Sequence, residues 1–278
     1  MIPDSRLTPA RPDLAAAYLR GVIDAPRYVE GEAKRIILAS VPLRAQPNAS
    51  TPWDTEALYG EALTLYDCAE GWAWVRLERD GYVGYLPAAA LGAPSAPTHR
   101  VAVLRTHAYP SATIKAPSVF APSLGAGVVV ADCKGEFAVT ADGLHFFSHH
   151  LASIDAVEPD FVAVAERFVN VPYLWGGRTS EGIDCSGLVQ TALRAAGIAA
   201  PRDSDMLEAQ MGSALSPDAP LRRGDLVFWR GHVGMMMNAD TLLHANGHHM
   251  LVVAEPFTVA RDRIMRGAYG VVTSVRRL

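Results

Sequence analysis

Apolar residues recur at helical spacing in two stretches of the later part of the chain. In residues 158–170 they fall three or four positions apart, with Pro159 near the first turn, which predicts a helix with one buried face. A second apolar stripe consists of Leu188, Val189, Ala192, Leu193 and Ala196. Gly197 ends it, and Asp184 stands at its N-cap position. Cys185 is therefore predicted to lie in the first turn of this second helix.

The pattern then changes to short apolar runs separated by turns that contain Gly, Asn or Asp. These runs predict an antiparallel meander, and its strands are residues 224–229, 232–237, 241–245 and 250–256. If residues 238–240 form a hairpin loop, His232 pairs opposite residue 246 and His244 opposite residue 234. The two histidines are then diagonal neighbours on one face, with backbone positions roughly 7 to 8 Å apart.

The earlier part of the chain begins with one helical pattern and continues with strand-type patterns. Residues 13–24 carry helix formers and an aspartate able to cap, which predicts a helical segment within residues 1–34. Short apolar runs then alternate with Gly, Pro, Asn and Asp, as in small β-barrels. The stretch YDCAEGWAWV (66–75) recurs as ADCKGEFAVT (131–140), which indicates two copies of one β-fold.

These patterns divide the chain and define its fold class. After the N-terminal segment we expect a β-unit over 35–95, a second over 96–155 and a helix-containing unit over 156–278, so the fold class is α+β. Cys68 and Cys133 occupy equivalent positions in the two β-units. A small apolar thiol in an alternating strand predicts a core position for both.

Composition and charge exclude several kinds of partner. The formal net charge is −4, so the chain has no basic excess with which to neutralise nucleic-acid phosphates. No segment approaches the roughly 18 apolar residues of a transmembrane helix, and the N-terminus lacks the apolar run of a secretory signal. We therefore expect a cytoplasmic protein without a membrane partner. Clustered metal-ligand motifs are missing from the sequence, and we expect no metal and no cofactor.

The predicted position of Cys185 suits a nucleophile. The free N–H groups and the positive dipole end of a helix start favour a thiolate, and the same N–H groups can donate to an oxyanion. Such a nucleophile needs a base that also protonates a leaving amine, and histidine does both near neutral pH. The meander supplies His232 as the base and His244 as its orienting partner. We expect His248 and His249, in the next turn, to be solvated.

Ordered motifs now carry a resemblance to the NlpC/p60 family of papain-like cysteine peptidases: PYLWGG, GIDCSGLVQ, RRGDLVFW, GHVGMM and LLHANG. The resemblance covers residues 158–278 and implies that Cys185, His232 and His244 are the catalytic residues. It also implies that Tyr173 helps to hold the oxyanion or the substrate. The stretch GYVGYLP resembles the closing strand of bacterial SH3-like (SH3b) domains, which implies two SH3b barrels ahead of the peptidase domain.

The same resemblance implies a substrate. Members of the family cleave peptidoglycan stem peptides, most often between γ-D-glutamate and a diamino acid. We expect hydrolysis of freed muropeptides with an unblocked L-alanine, which releases L-Ala-γ-D-Glu and suits recycling in the cytoplasm. The candidate substrate-binding residues are Asp184, Ser186 and Asp203, together with Glu61 and Tyr85 of the first SH3b domain. Asp205 competes with Asp203 for the substrate ammonium, and either aspartate is able to cap the helix that follows.

Other functions stay open at this point. The chain is alternatively a wall-binding module with an inactive peptidase unit, although its triad is complete. A thiol amidase or acyltransferase would use the same thioester, and a secreted enzyme would act on intact wall. Arg178 and Arg202 are possible partners of substrate carboxylates. The sequence does not decide between lysine and diaminopimelate as the diamino acid.

Overall fold

The computed structural model describes residues 4–278, and the chain divides into two units, Met1–Asp155 and Ala156–Leu278. The first unit is built almost entirely of short strands: β1 (Ala10–Arg11), β2 (Leu14–Ala16), β3 (Tyr28–Val29), β4 (Glu32–Ile36), β5 (Ser40–Leu43), β6 (Thr55–Leu58), β7 (Ala62–Ala69), β8 (Trp72–Leu77), β9 (Val83–Pro87), β10 (Leu91–Gly92), β11 (His99–Val101), β12 (Ala108–Tyr109), β13 (Gly127–Val128), β14 (Val130–Lys134), β15 (Phe137–Thr140), β16 (His145–Phe147) and β17 (Leu151–Ser153).

The second unit combines helices with one larger sheet: α1 (Phe161–Glu166), β18 (Arg178–Thr179), β19 (Gly182–Ile183), α2 (Cys185–Ala195), α3 (Ser204–Gln210), β20 (Ser213–Ala214), β21 (Leu226–Trp229), β22 (His232–Met236), β23 (Thr241–Asn246), β24 (Leu251–Pro256), α4 (Phe257–Met265) and β25 (Ser274–Arg277). Its sheet has the order β20-β25-β21-β22-β23-β24. Across both units, the fold is α+β. In the described range, none of the helices is long and apolar enough to cross a membrane.

The helix predicted for residues 13–24 is wrong, and the first three residues of the segment 1–34 lie outside the described range. The chain forms strand β2 and then a single 3-10 turn, Ala17–Leu19. Strand β2 pairs with β1 and β3, and Leu14 is fully buried against Trp74. Burial and strand pairing therefore override the helix propensity of the alanines.

The β-units of the first unit are open sheets, whereas the sequence predicted closed barrels. One sheet has the order β10-β4-β7-β8-β9, and the second β-unit forms the sheets β13-β11-β17 and β12-β16-β15-β14. The 3-10 turn Ala88–Ala90 separates β9 from β10, and the pair β5-β6 reaches β9 through an isolated bridge between Arg44 and Tyr85. These interruptions of the hydrogen-bond ladder prevent closure in the part of the chain that the structure describes.

The sequence repeat corresponds to one bulged hairpin that occurs twice. The β7-β8 pair shifts register between Leu65 and Asp67, and the β14-β15 pair shifts between Val130 and Asp132. Cys68 then pairs opposite Ala73, and Cys133 opposite Ala138. Both cysteines are exposed, so the predicted core position is wrong. Each lies near the end of its strand, next to the hairpin turn, where the neighbouring residue of the same strand is exposed as well.

The helix and strand predictions for the second unit are confirmed in the elements that matter for the site. Helix α1 begins after Asp160 but ends at Glu166, so it is shorter than predicted. Helix α2 begins at Cys185, after the N-cap residue Asp184, and packs against β22 and β23. The meander strands β21 to β24 occur as expected. Met235 pairs opposite Leu243 and Met236 opposite Leu242, which is the register predicted for the histidines.

Candidate active site

The nucleophile candidate Cys185 is held at the first position of α2 by its N-cap residue. Asp184 Oδ1 accepts a hydrogen bond from Gly187 N at 2.6 Å, and Oδ2 accepts one from Gly176 N at 2.9 Å. A Cβ atom at Gly187 would lie 2.5 Å from the carbonyl oxygen of Gly177, so only glycine fits this turn. The side chain of Asp184 thereby fixes both the helix start and the preceding loop around the sulfur.

A buried arginine completes this support. Arg202, 1% exposed, donates from Nη1 to Asp184 Oδ1 at 3.0 Å and from Nη2 to Oδ2 at 2.6 Å, and it also reaches Ser186 Oγ at 2.8 Å. Asp184 and Ser186 thus make structural contacts at the start of α2 and are absent from the lining of the cavity described below, and their substrate contacts stay predictions. The carboxylate that Arg202 binds in the structure is that of Asp184.

His232 and His244 form a direct pair on the sheet face next to Cys185. The Nε2 atom of His232 lies 2.8 Å from Nδ1 of His244, and both side chains are buried. The backbone N–H groups of Ser186 and of Val233, the residue that follows His232, lie near enough to Cys185 to lower the pKa of its thiol. The structure thus brings together the three residues that the sequence predicted to be catalytic.

A carboxylate and an arginine that the sequence analysis missed lie behind this pair. Glu255 Oε1 is 2.8 Å from His244 Nε2, and Arg263 of α4 donates to both oxygens of Glu255. Glu255 pairs opposite Leu242, so it shares a sheet face with His244. Extending the register from β22-β23 to the next hairpin would have identified Glu255 from the sequence.

Cys185 and the two histidines open into a cavity of about 390 Å³. Its lining includes Tyr173, Cys185, His232, His244, Asn246 and Tyr269. The Tyr269 ring lies over His232 with centroids 5.6 Å apart. Tyr173 reaches the cavity beside the sulfur, and burial first, then the neighbouring Cys185 and Asp184, raises its pKa. Its hydroxyl is therefore a neutral donor, and its role at the oxyanion stays a prediction.

The resting sulfur is a thiol, which corrects the expectation of a thiolate. Burial, followed by the charge of Asp184, raises the pKa of Cys185 from 9.0 to about 12, against the lowering effects of Arg202 and two backbone N–H groups. Such a rise corresponds to roughly 4 kcal/mol, whereas a helix end contributes at most about 2 kcal/mol. Burial first, and then His244 and Arg263, lowers the pKa of His232 to about 3. Cysteine and base are therefore both neutral before substrate binds.

We expect acid to destabilise the second unit through this histidine pair. Burial also lowers the pKa of His244, so the unfolded chain binds protons at both histidines before the folded chain does. Their contribution to the free energy of unfolding is fully present above their ordinary pKa of 6.5 and is lost as the pH falls toward about 3. The loss reaches about 1.4 kcal/mol per pH unit per histidine.

Urea unfolding between about pH 7 and pH 4 measures this slope, and His232→Gln provides the comparison because it removes one titrating group. The variant is expected to lose less stability per pH unit than the unsubstituted protein. Equal slopes would contradict the assignment of His232 as a buried neutral base.

The remaining predicted residues lie elsewhere. Asp203 is half-buried at the N-cap position of α3, makes no side-chain capping bond and does not line the cavity. In the first unit, Glu61 pairs with the buried Arg79 and accepts a bond from Leu58 N at 3.0 Å. Tyr85 accepts from Arg11 at 3.2 Å and lines a separate cavity of about 410 Å³ in that unit. The substrate contacts of these three residues stay predictions.

Two family models match this chain. Residues 43–91 match the bacterial dipeptidyl-peptidase Sh3 domain, and residues 170–265 match the NlpC/P60 family. The chain therefore contains a bacterial SH3 domain and an NlpC/P60 domain, and the second contains Cys185, His232 and His244. A crystal structure of an NlpC/P60 family protein from Bacillus cereus has the same fold, with a TM-score of 0.73, 19% identity and coverage of 88% of this chain and 99% of that chain.

Curated relatives are named for dipeptidyl-peptidase activity. Dipeptidyl-peptidase 6 of Lysinibacillus sphaericus is 32% identical over 102 residues, which cover 37% of this chain and 35% of that protein. Gamma-D-glutamyl-L-lysine dipeptidyl-peptidase of Bacillus cereus is 24% identical over 225 residues, or 69% of this chain and 67% of that protein. This chain thus spans about a third of the first relative and about two thirds of the second.

Proposed function

We propose that this protein is a cysteine peptidase that hydrolyses the bond between γ-D-glutamate and the diamino acid of peptidoglycan stem peptides. The observation that carries the proposal is the arrangement of Cys185, His232 and His244 at one cavity. The substrate class is supported by the names of the two dipeptidyl-peptidases, one of which specifies γ-D-glutamyl-L-lysine. The product is then L-Ala-γ-D-Glu.

The geometry supports a base-assisted thiol mechanism. His232 accepts the Sγ proton of Cys185 while the sulfur attacks the scissile carbonyl carbon, and N–H groups at the start of α2 stabilise the oxyanion, with Tyr173 as a further donor. The C–N bond breaks as His232 gives the proton to the leaving amine, and a thioester remains. His232 then deprotonates a water molecule that attacks the thioester, and the thiol returns with release of the acid. A neutral resting pair suits this sequence of steps.

The proposal includes an unblocked L-alanine on the substrate. A carboxylate would attract the free ammonium, and Asp203 is the candidate because the stretch RDSD resembles the RDxD stretch that follows the nucleophile in family members with SH3b domains. Intact wall has its L-alanine blocked, so such a site favours freed muropeptides.

The proposal also includes a cytoplasmic location, where freed peptides are recycled, and a second SH3b domain in residues 96–155. The repeated bulged hairpin supports that second domain.

We expect the enzyme to cleave free L-Ala-γ-D-Glu-diaminopimelate and to act at least about tenfold more slowly on the N-acetylated peptide, because acetylation removes the charged hydrogen-bond donor. Mass spectrometry of the products measures both rates. Asp203→Asn should abolish the preference for the free amine, whereas the matched variant Asp205→Asn should retain it.

The other outcomes separate the alternatives. Equal cleavage of both peptides would leave the peptidase and remove the specificity for a free amine. Cleavage of neither would contradict the proposed function and favour the binding-module or transferase alternatives. Transfer of the acyl group to an added amine, with no hydrolysis, would identify the transferase.

A further inference from the structure

Glu255 is a charged group placed behind the histidine pair. Its side chain is 11% exposed, and Arg263 donates to Oε2 at 2.6 Å while also bonding Oε1. The bonds from Arg263 and His244 outweigh burial and hold the pKa of Glu255 well below its ordinary value. A carboxylate in this state only accepts hydrogen bonds. The His244 nitrogen that lies 2.8 Å from it must therefore supply the proton.

This requirement determines the tautomers of both imidazoles. With its proton on Nε2, neutral His244 has an unprotonated Nδ1, which accepts a hydrogen bond. The Nε2 of His232, 2.8 Å from that atom, must then be the donor. Neutral His232 consequently has an unprotonated Nδ1, the only nitrogen of the pair left with a free lone pair. Without the carboxylate, the two imidazoles could equally adopt the opposite tautomers, in which Nδ1 of His244 donates to Nε2 of His232. Nδ1 of His232 would then be protonated.

Asn246 is the competing partner of His244. Its Nδ2 lies 3.0 Å from His244 Nε2, and its Oδ1 accepts from His249 N at 2.9 Å. A single nitrogen cannot donate to Glu255 and accept from an amide at once. A hydrogen bond to a charged group contributes about 1.5–3 kcal/mol, against about 0.5–1.5 kcal/mol for a neutral one. In addition, a lone pair facing a carboxylate at 2.8 Å would be repelled. Glu255 therefore outcompetes Asn246.

We propose that Glu255 is a positioning residue that fixes the protonation pattern of His244 and His232 and so leaves Nδ1 of His232 free to take the proton of Cys185. The effect of Glu255 on turnover rests on the proposed function, whereas its effect on the tautomers of the two histidines does not. In the step, the S–H bond breaks, a N–H bond forms on Nδ1, and the resulting imidazolium stays linked through His244 to the charge of Glu255. No other proton changes its atom.

The first test is spectroscopic and needs no substrate. In protein labelled with ¹⁵N-histidine, long-range ¹H–¹⁵N spectra distinguish the two neutral tautomers of each ring. We expect both His232 and His244 to have the proton on Nε2 in the unsubstituted protein, and Glu255→Gln to produce a mixture or the reverse setting. The matched control is Glu208→Gln, a glutamate of the same unit that accepts a bond from Ser274 at 2.6 Å, and it should leave the spectra unchanged. Unchanged tautomers in Glu255→Gln would overturn the proposal.

The second test follows the chemistry of the sulfur. Alkylation by iodoacetamide, read by mass spectrometry of individual cysteine peptides, is expected to slow about tenfold or more at Cys185 in Glu255→Gln, since general-base assistance contributes about 10²–10⁴-fold. The exposed Cys68 and Cys133 serve as internal controls and should react as before. Glu255→Asp keeps the charge and should recover part of the loss.

Turnover distinguishes the two proposals from each other. With the tripeptide substrate, Glu255→Gln should lower kcat by about 100-fold or more with little change in KM, because the substituted group does not touch substrate. If the unsubstituted protein cleaves no peptide while the spectra and alkylation respond as expected, the proposed function is wrong and the positioning role of Glu255 is supported. If cleavage occurs and Glu255→Gln keeps its kcat and its tautomers, the positioning role of Glu255 is wrong and the peptidase function is supported.

Discussion

Replacement of Cys185 by alanine is expected to abolish turnover and to leave the protein folded. Removing the nucleophile of a covalent mechanism lowers kcat by at least about 10⁴-fold. The fold should persist because the buried thiol is neutral at rest, so alanine leaves no uncompensated charge beside His232. Alanine is also a strong helix former at the start of α2. Product release from the free tripeptide, followed by mass spectrometry, measures the effect.

The controls for this prediction come from the same chain. Cys68→Ala and Cys133→Ala remove exposed thiols and should retain full activity. Hydrogen exchange in the α2 peptides should match that of the unsubstituted protein. Cleavage retained by Cys185→Ala would exclude the thiol mechanism and with it the proposed function.

The parts of the site that the sequence predicted depend on short-range patterns. An N-cap aspartate followed by a periodic apolar stripe places Cys185 at a helix start, and that inference requires only neighbouring residues. The register of His232 and His244 follows from one hairpin loop. The papain-like resemblance adds Tyr173, which does reach the cavity. Local sequence patterns therefore identify the three residues that we propose to be catalytic.

The sequence predictions are wrong where contacts between distant residues, or the removal of water, determine the structure or the protonation state. The alanines after Asp13 favour a helix, but burial of Leu14 against Trp74 produces a strand. Cys68 and Cys133 lie in strand patterns, yet both are exposed near the ends of their strands, next to the hairpin turns. The thiolate was inferred from the helix end alone. Desolvation, which depends on the whole surrounding structure, has the larger effect and keeps the thiol protonated.

Arg202 was missed as a support for the nucleophile because its partner Asp184 is distant in sequence. Two charged residues that pair in a core produce no periodic pattern in the sequence. A single arginine, considered without its partner, is more often exposed to solvent. The structure shows a bidentate pair, with Arg202 1% exposed and Asp184 7% exposed. This pair, together with the bond from Arg202 to Ser186, joins the start of α2 to the segment before α3.

Arg202→Leu is expected to destabilise the second unit by about 3–5 kcal/mol, because it leaves the carboxylate of Asp184 buried without its counter-charge. The matched control is Arg223→Leu in the same unit. Arg223 pairs with two carboxylates, Asp160 at 2.8 Å and Glu166 at 2.6 Å, but its side chain is 39% exposed. An exposed pair contributes at most about 1 kcal/mol, so the control should remain close to the unsubstituted protein. Urea unfolding, read by hydrogen exchange in the α2 peptides, measures both.

A second substitution identifies the physical cause of the loss. If the cost of Arg202→Leu comes from the uncompensated charge, then D184N added to R202L should recover a large part of it, since asparagine still caps a helix and carries no charge. If the cost came from lost packing of the arginine stem, D184N would add its own destabilisation to that of R202L. A loss in Arg202→Leu no larger than in Arg223→Leu would mean that the buried pair does not support the nucleophile. Asp184 accepts hydrogen bonds from both Gly176 and Gly187. The stability that D184N restores therefore measures how strongly the loop and helix start around Cys185 depend on the pairing of the Asp184 and Arg202 charges.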